Sequence, residues 1–484
     1  LLYLGAIMAD GKTVEDGASL LMDEVTRLRN TAVTQAEIDT AKTQLVAQAV
    51  RQRETINNRA FALGYALRIQ GDAARANSDI ARLQAVTIAD VQAAAKKYLN
   101  PNLSTTIKYL PESARPAGSS DTAAPDPVIA SVPYTGTVNT LRPEGAREAM
   151  PPVGATVSPT VPAAAQMTLP NGLKVIVAKS SGLPLIAARL SVRSGASSDA
   201  AGKAGTASLM ADVITEGTTT RSATDIASQS EALGTSLSAY VSAESAGLSL
   251  NVVKSKVGPA LGIMADVAEH PAFKAEEVDR VRNQDLDDLK VAYQQPRQLA
   301  SFVTAPVIYA GTPLGHVTKG TPASLARITR DDLVALHDGI WRPDNATLVL
   351  TGDITAQEGF KLAQQIFGNW KAPSGKPLSA PVITPAAAPR DIIVDLPGTG
   401  QTAVLASKIA IARNAPDYYT GLVTNAVLGG GYSARLNEEI RIKRGLSYGA
   451  SSALSPMLTT GSFTAQAQTK NESAAQVVEL MKGE

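Results

Sequence analysis

Gly205-Thr-Ala-Ser-Leu-Met-Ala-Asp-Val-Ile-Thr-Glu-Gly-Thr218 is the stretch on which the fold turns. Leu209, Met210, Val213 and Ile214 recur at helical spacing and make one apolar stripe, and Gly217 is a helix stop. A strand-like run, Leu185–Val192, and a small polar loop over 193–205 lead into it. On its residues alone the stretch is an amphipathic core helix.

Working outward, a hairpin turn at Leu169-Pro-Asn-Gly172 stands between two short strands upstream. Downstream the pattern predicts a helix over 223–233, strands over 236–241 and 247–253, and a helical block ending near Trp341-Arg-Pro343. A strand over 346–352 and a helix over 356–367 follow, and a Pro/Ala-rich run, 372–389, closes the domain. Residues 1–110 read as strand, helices, strand. Their helices are 13–29, a long one from Gln35 to about Ala60 capped by Thr34 with Glu37, and 88–98 started by Thr87 and stopped by Asn100-Pro101. A strand-like run, 103–109, comes next. Prolines punctuate an Ala/Ser/Thr-rich linker over 111–166. From 390 on, strands over 391–395 and 402–410 precede a helix over 416–428. Gly429–Gly431, a second helix, strands near 447–453 and 461–469, and the start of a further helix complete the chain. The triple glycine follows a helix and lacks a trailing Lys-Ser or Lys-Thr, so it is a helix cap and turn rather than a phosphate loop.

There is an internal repeat. Thr34-Gln-Ala-Glu-Ile-Asp39, Thr87-Ile-Ala-Asp-Val and Tyr98-Leu-Asn-Pro101 are echoed by Phe273-Lys-Ala-Glu-Glu-Val-Asp279, Thr329-Arg-Asp-Asp-Leu and Trp341-Arg-Pro343. The order and distances are similar, which marks duplicated α+β domains.

Composition excludes several functions. Basic and acidic residues number 45 and 44 and are interspersed, without the clustered basic face of a nucleic-acid binder. Cysteine is absent, so there is no disulfide or thiolate chemistry. The three histidines, His270, His316 and His337, include no pair at metal-ligand spacing. No apolar run reaches the ~18 residues of a membrane span. The opening residues lack the charged start and cleavage pattern of a signal peptide. Lacking an initiator Met, the chain is expected to be a piece of something longer, cut at both ends.

The stretch 205–218 resembles the zinc helix of the insulinase/pitrilysin (inverzincin) family of metallopeptidases, in which H-x-x-E-H lies inside a G-x-A-H-x-x-E-H-x-x-x-x-G-T frame. Gly205, Ala207, Gly217 and Thr218 keep the frame, while Ser208 and Asp212 stand at the histidine positions and Ala211 at the glutamate. Two imidazoles one turn apart grip zinc and the glutamate activates its water. Serine, alanine and aspartate do neither. The family's third ligand, a later glutamate, aligns near Asp288. Asp279, Asp285, Asp287 and Asp288 lie at regular helical spacing, which makes a solvated face and does not wrap calcium. His316, in a loop between long helices, reads as structural.

A second likeness is Tyr432-Ser-Ala-Arg-Leu-Asn-Glu-Glu-Ile-Arg441-Ile-Lys-Arg-Gly-Leu-Ser-Tyr448. It resembles the motif of the family's non-zinc half, with Arg441 and Tyr448 at the matching positions. The resemblance implies that these two bind the substrate backbone and stabilise the transition-state oxyanion. Arg444 is a nearby competitor for the role of Arg441, and packing is the bland alternative for both.

The resemblance implies an α+β fold of repeated domains, each a mostly antiparallel sheet with helices on one face, in two halves joined by the linker as a clamshell. Residues 1–110 would be the back half of a second domain, 111–166 the linker, 167–375 a third domain degenerate in its zinc positions, and 376–484 the front of a fourth. The chain would close the chamber of a zinc metallopeptidase around a peptide substrate. Zinc would sit in an upstream half or partner subunit, and this chain alone would hold none and cleave nothing. The alternative is a non-enzymatic scaffold or peptide-binding subunit of the same fold. A bacterial envelope compartment such as the periplasm is expected, with cytoplasm as the alternative.

Overall fold

Helix caps and strand alternation set most of the architecture in the computed structural model. It describes residues 2–9, 11–114, 162–180, 182–378 and 388–484, with scattered positions between 133 and 158. Most of the expected linker, and 379–387 of the Pro/Ala-rich run, thus lie outside the described residues. The chain forms two compact units, Leu1–Gln35 with Val86–Val161, and Ala36–Ala85 with Pro162–Glu484.

Five helices open the chain: α1 (Val14–Asn30), α2 (Gln35–Arg51), α3 (Ile56–Gln70), α4 (Asp79–Ala85) and α5 (Ile88–Tyr98). Thr13 caps α1 by accepting from the Asp16 N–H, and a reciprocal Thr87–Asp90 capping box starts α5. The single helix expected from 35 to about 60 is two helices. The polar run Gln52-Arg-Glu54 supplies no apolar stripe, and Thr55 caps a fresh helix by accepting from the Asn58 N–H. The expected flanking strands are absent. Residues 2–9 hold no regular element, and Pro101–Leu103 is a 3-10 turn after which 104–110 pairs with no strand.

In the second unit, β1 (Ala165–Thr168), β2 (Lys174–Lys179) and β3 (Leu185–Val192) lead to α6 (Thr206–Val213) and α7 (Ala223–Ala232). Then come β4 (Ser238–Val241), β5 (Ala246–Val253), α8 (Val257–Glu269), α9 (Ala275–Tyr293), α10 (Pro296–Ile308), α11 (Pro322–Leu325), α12 (Arg330–Ile340), β6 (Ala346–Gly352) and α13 (Ala356–Phe367). The sheet order is β1-β2-β6-β3-β5-β4. Only β2–β6 is parallel. Gly172 turns the β1–β2 hairpin at φ +94°. Leu190, Leu248 and Leu348 of the central strands are buried with Leu209, Met210, Leu261 and Met264 of the helices in one core. Both tryptophans, Trp341 and Trp370, belong to it.

The final segment holds β7 (Gln401–Ala410), α14 (Tyr418–Leu428), α15 (Arg435–Asn437), β8 (Ser447–Pro456), β9 (Gly461–Lys470) and α16 (Ala474–Gly483). Its order β3-α6-α7-β4-β5-α8 is repeated as β7-α14-α15-β8-β9-α16, and the sheet order β3-β5-β4 recurs as β7-β9-β8. The strand expected over 391–395 does not form. Ile392, Ile393 and Val394 are exposed, and the segment pairs with no strand of the three-stranded sheet. The architecture is α+β.

Candidate functional site

The loop before α6 sets the helix start. Gly205 takes φ +98°, and the half-buried Asp199 carboxylate accepts from the N–H groups of Gly205 (2.7 Å) and Ala207 (2.8 Å), so it caps the helix from outside. Burial pushes the Asp199 carboxyl up to about 6, against the pull of those N–H groups and of His316. His316 itself hydrogen-bonds the Ala196 carbonyl through Nε2 at 2.9 Å, a backbone-bracing contact.

Of the four positions expected to correspond to the family's zinc site, Ser208 and Ala211 are buried in α6 and Asp212 opens on its outer side. Asp288 is exposed on α9, and Asp285, one turn earlier, is buried. Between the helices stands Lys319. Its ammonium lies 3.6 Å from the Asp212 carboxylate and 4.0 Å from that of Asp285. Gly205 and Gly320 make this approach possible. A Cβ on Gly320 would lie 2.4 Å from the Ala204 carbonyl, and one on Gly205 3.0 Å from the Lys319 carbonyl. Burial raises the Asp285 carboxyl to about 6, and Asp212 adds to the rise. Burial also raises Asp212, against Lys319 and with Asp288.

These donors do not fit zinc. One carboxylate beside a serine and an alanine offers no tetrahedral set, and an ammonium already faces the acids. Among the described residues no group of three or more His, Cys, Asp and Glu is placed to hold a metal.

Arg441 and Tyr448 lie on either side of one turn. The expected second helix is a short α turn continued by a π segment, Glu438–Ile442, in which Leu436 and Ile440 are buried. Gly445, at φ +63°, ends it, with Gly445 N bonded to the Arg441 carbonyl and Leu446 N to that of Ile440. This paired closure of a helix end favours glycine at that position. The Arg441 guanidinium lies over the Tyr432 ring at 5.0 Å. Arg444, its competitor, is instead engaged with Glu439. A bulge between Ser447 and Ala450 leaves Tyr448 outside the ladder, and its side chain is 90% exposed. Tyr448 lines a cleft with residues of β7, β9 and α10, and Arg441 does not line it.

Asn437 is the residue that sequence reasoning passed over. Buried, it donates to the Tyr432 carbonyl (2.6 Å) and accepts from the Ala450 N–H (3.2 Å), so one amide ties the turn under Arg441 to the strand carrying Tyr448. Its position inside the Tyr432–Tyr448 motif was the only signal. Gly429 ends α14 as expected, and its closeness to Ser452, whose N–H it accepts at 2.9 Å, leaves no room for a Cβ.

Comparison with known proteins places this geometry. A family model described as insulinase (peptidase family M16) matches residues 174–321, and one described as peptidase M16 inactive domain matches 327–484. An uncharacterized zinc protease of Mycobacterium bovis is 25% identical over 343 residues, covering 67% of this chain and 75% of that protein. The solved peptidase M16 inactive domain from Pseudomonas fluorescens superposes with a TM-score of 0.61 at 28% identity, covering 66% of this chain and 77% of that one. The periplasmic protease PqqL from Escherichia coli shares the fold at 18% identity and a TM-score of 0.54, over 65% of this chain and 36% of its own.

Proposed function

The chain belongs to the insulinase (M16) family of peptidases over residues 174–484, and from that premise we propose that it is the non-catalytic half of a zinc peptidase. It closes the substrate chamber, while zinc and its water-activating glutamate lie in an upstream half or a partner subunit. Arg441 and Tyr448 bind the peptide backbone and the oxyanion as it forms. The observation that carries this reading is Tyr448, a large aromatic held almost fully exposed by a bulge that removes it from the ladder. An aromatic serving the core would be turned inward.

The Lys319 ammonium supports the division of labour. It supplies positive charge to Asp212 and Asp285 yet has no vacant orbital with which to polarise a water. Among the described residues no helix is long and apolar enough to cross a membrane. The proposed compartment is the bacterial envelope, consistent with the cysteine-free composition, and fractionation of producing cells tests it.

The experiment is kinetic. In the complete zinc-bearing enzyme, Tyr448→Phe lowers kcat by about 10²-fold, the scale of losing one oxyanion donor, and a chelator abolishes turnover. The isolated chain carries no stoichiometric zinc by metal analysis. Unchanged turnover in a Tyr448→Phe, Arg441→Ala double variant would overturn the reading.

A further inference from the structure

The cleft beside Tyr448 has a volume of about 380 Å³ and is walled by two elements of different origin. One wall is the first turn of α10, which contributes Arg297. The other is the three-stranded sheet, where the register sets Leu405 opposite Gln466 and Gln466 opposite Ser451, so one row of side chains runs across β7, β9 and β8. Gln401 and Gln468 extend the wall, joined by a 2.6 Å bond from Gln468 Nε2 to Gln401 Oε1.

The charge of this cleft is lopsided. Among the described residues, Arg297 is its only charged lining residue and no acid lines it. Arg297 is exposed and, among the described residues, makes no ion pair. Several other arginines of this unit are paired: Arg221 with Asp266, Arg280 with Glu216, Arg282 with Asp279 and Arg444 with Glu439. The glutamines and serines around Arg297 offer amide and hydroxyl groups that can both donate to and accept from a peptide backbone. One guanidinium matches one carboxylate through two parallel bonds, whereas a phosphate dianion calls for a second cation that the cleft lacks.

We propose that this cleft binds a carboxylate carried by a peptide, with Arg297 as its partner and the glutamine row holding the adjoining backbone. The proposal rests on the peptide-binding reading above and gives it a chemical preference. The carboxylate belongs either to the peptide's C-terminus or to an acidic side chain.

Calorimetric titration of the 484-residue chain tests it with three otherwise identical short peptides: a free C-terminal acid, its C-terminal amide, and an amide bearing one Glu side chain. The free acid or the Glu-bearing amide binds at least about 10-fold tighter than the plain amide, and whichever does so identifies the source. Arg297→Gln brings the peptides to within twofold of one another, and Arg297→Lys keeps only part of the preference, because an ammonium lacks the fork. Equal binding of all three peptides, or a preference that survives Arg297→Gln, overturns the proposal. Equal binding that is lost in Tyr448→Ala leaves the peptide-binding lid standing while this inference falls. No binding of any peptide removes both. Unchanged circular dichroism of the variants keeps misfolding out of the comparison.

Discussion

Removing the Lys319 ammonium tests whether it holds the Asp212 and Asp285 carboxylates together. Lys319→Met keeps the length and apolar stem and deletes the charge. Two unit charges at about 4 Å interact by about 4 kcal/mol at an effective dielectric constant near 20. Lys319 is 53% exposed, so solvent and salt screen this strongly, and a net loss of about 1–2 kcal/mol is expected when both acids are ionised. The pH dependence follows from Asp285. Its folded value, about 6, is raised from 3.8, so its ionisation opposes folding. The stability is fully present below about 3.8 and is lost as pH rises through about 6, by up to about 3 kcal/mol over the whole window. Deleting Lys319 raises that folded value further. The extra cost therefore appears above about pH 6 and fades toward pH 4. Trp341 and Trp370 both belong to the buried cluster that includes the apolar residues of α6 and α9, so urea unfolding followed by tryptophan fluorescence reports the right domain. At pH 8 the variant should lose about 1 kcal/mol more than at pH 4.5. Equal losses at the two pH values, or a gain at pH 8, would refute the electrostatic account. Asp285→Asn should do the reverse and stabilise the parent at pH 8.

Four further outcomes follow from the caps and turns. Asp199→Ala removes the outside cap of α6 and should cost about 1–2 kcal/mol in urea unfolding. Asp199→Asn keeps an acceptor but cannot ionise, so it should flatten the stability loss that otherwise runs from about pH 3.8 and is complete near about 6. Asn437→Ala leaves the Tyr432 carbonyl and the Ala450 N–H without their shared partner, and thermal unfolding should show a loss of about 1–3 kcal/mol. Gly429→Ala forces a Cβ to within 2.4 Å of the Ser452 nitrogen and should cost about 1–3 kcal/mol by the same measurement.

Where local chemistry decides an element, the sequence predicts it closely. β3, β6, α5 and α13 occupy the predicted residues because alternation is clean in the strands and reciprocal caps, Thr87–Asp90 and Thr355–Glu358, start the helices. The repeat is legible for the same reason. α5 and α12 are both opened by Thr–Asp capping boxes and both are followed by a proline-led 3-10 turn. Most of the misses are strands. Residues 103–109 place apolar residues at 103, 107 and 109 and residues 392–394 form a short apolar run, but a strand exists only by pairing with another, and no local signal reports whether a partner is engaged. The break at 52–54 was missed because helix formers on both sides mask a polar run that only the Thr55 cap resolves.

The candidate site divides along the same line. Ser208, Ala211, Asp212, Arg441 and Tyr448 are legible because each sits inside a short motif whose spacing fixes its place on a helix or turn. Lys319, Asp285 and Arg297 are illegible because their meaning is relational. Lys319 matters through two close-approaching glycines that bring its loop against α6, and Asp285 through the burial of one turn of α9. Arg297 matters through the absence of an acid on the facing sheet. The relation also explains how an aspartate is accommodated at position 212. A carboxylate facing a second, buried carboxylate would be costly alone, but a shared ammonium lets both remain. The helix thus presents its acid to an ammonium rather than to a set of metal ligands.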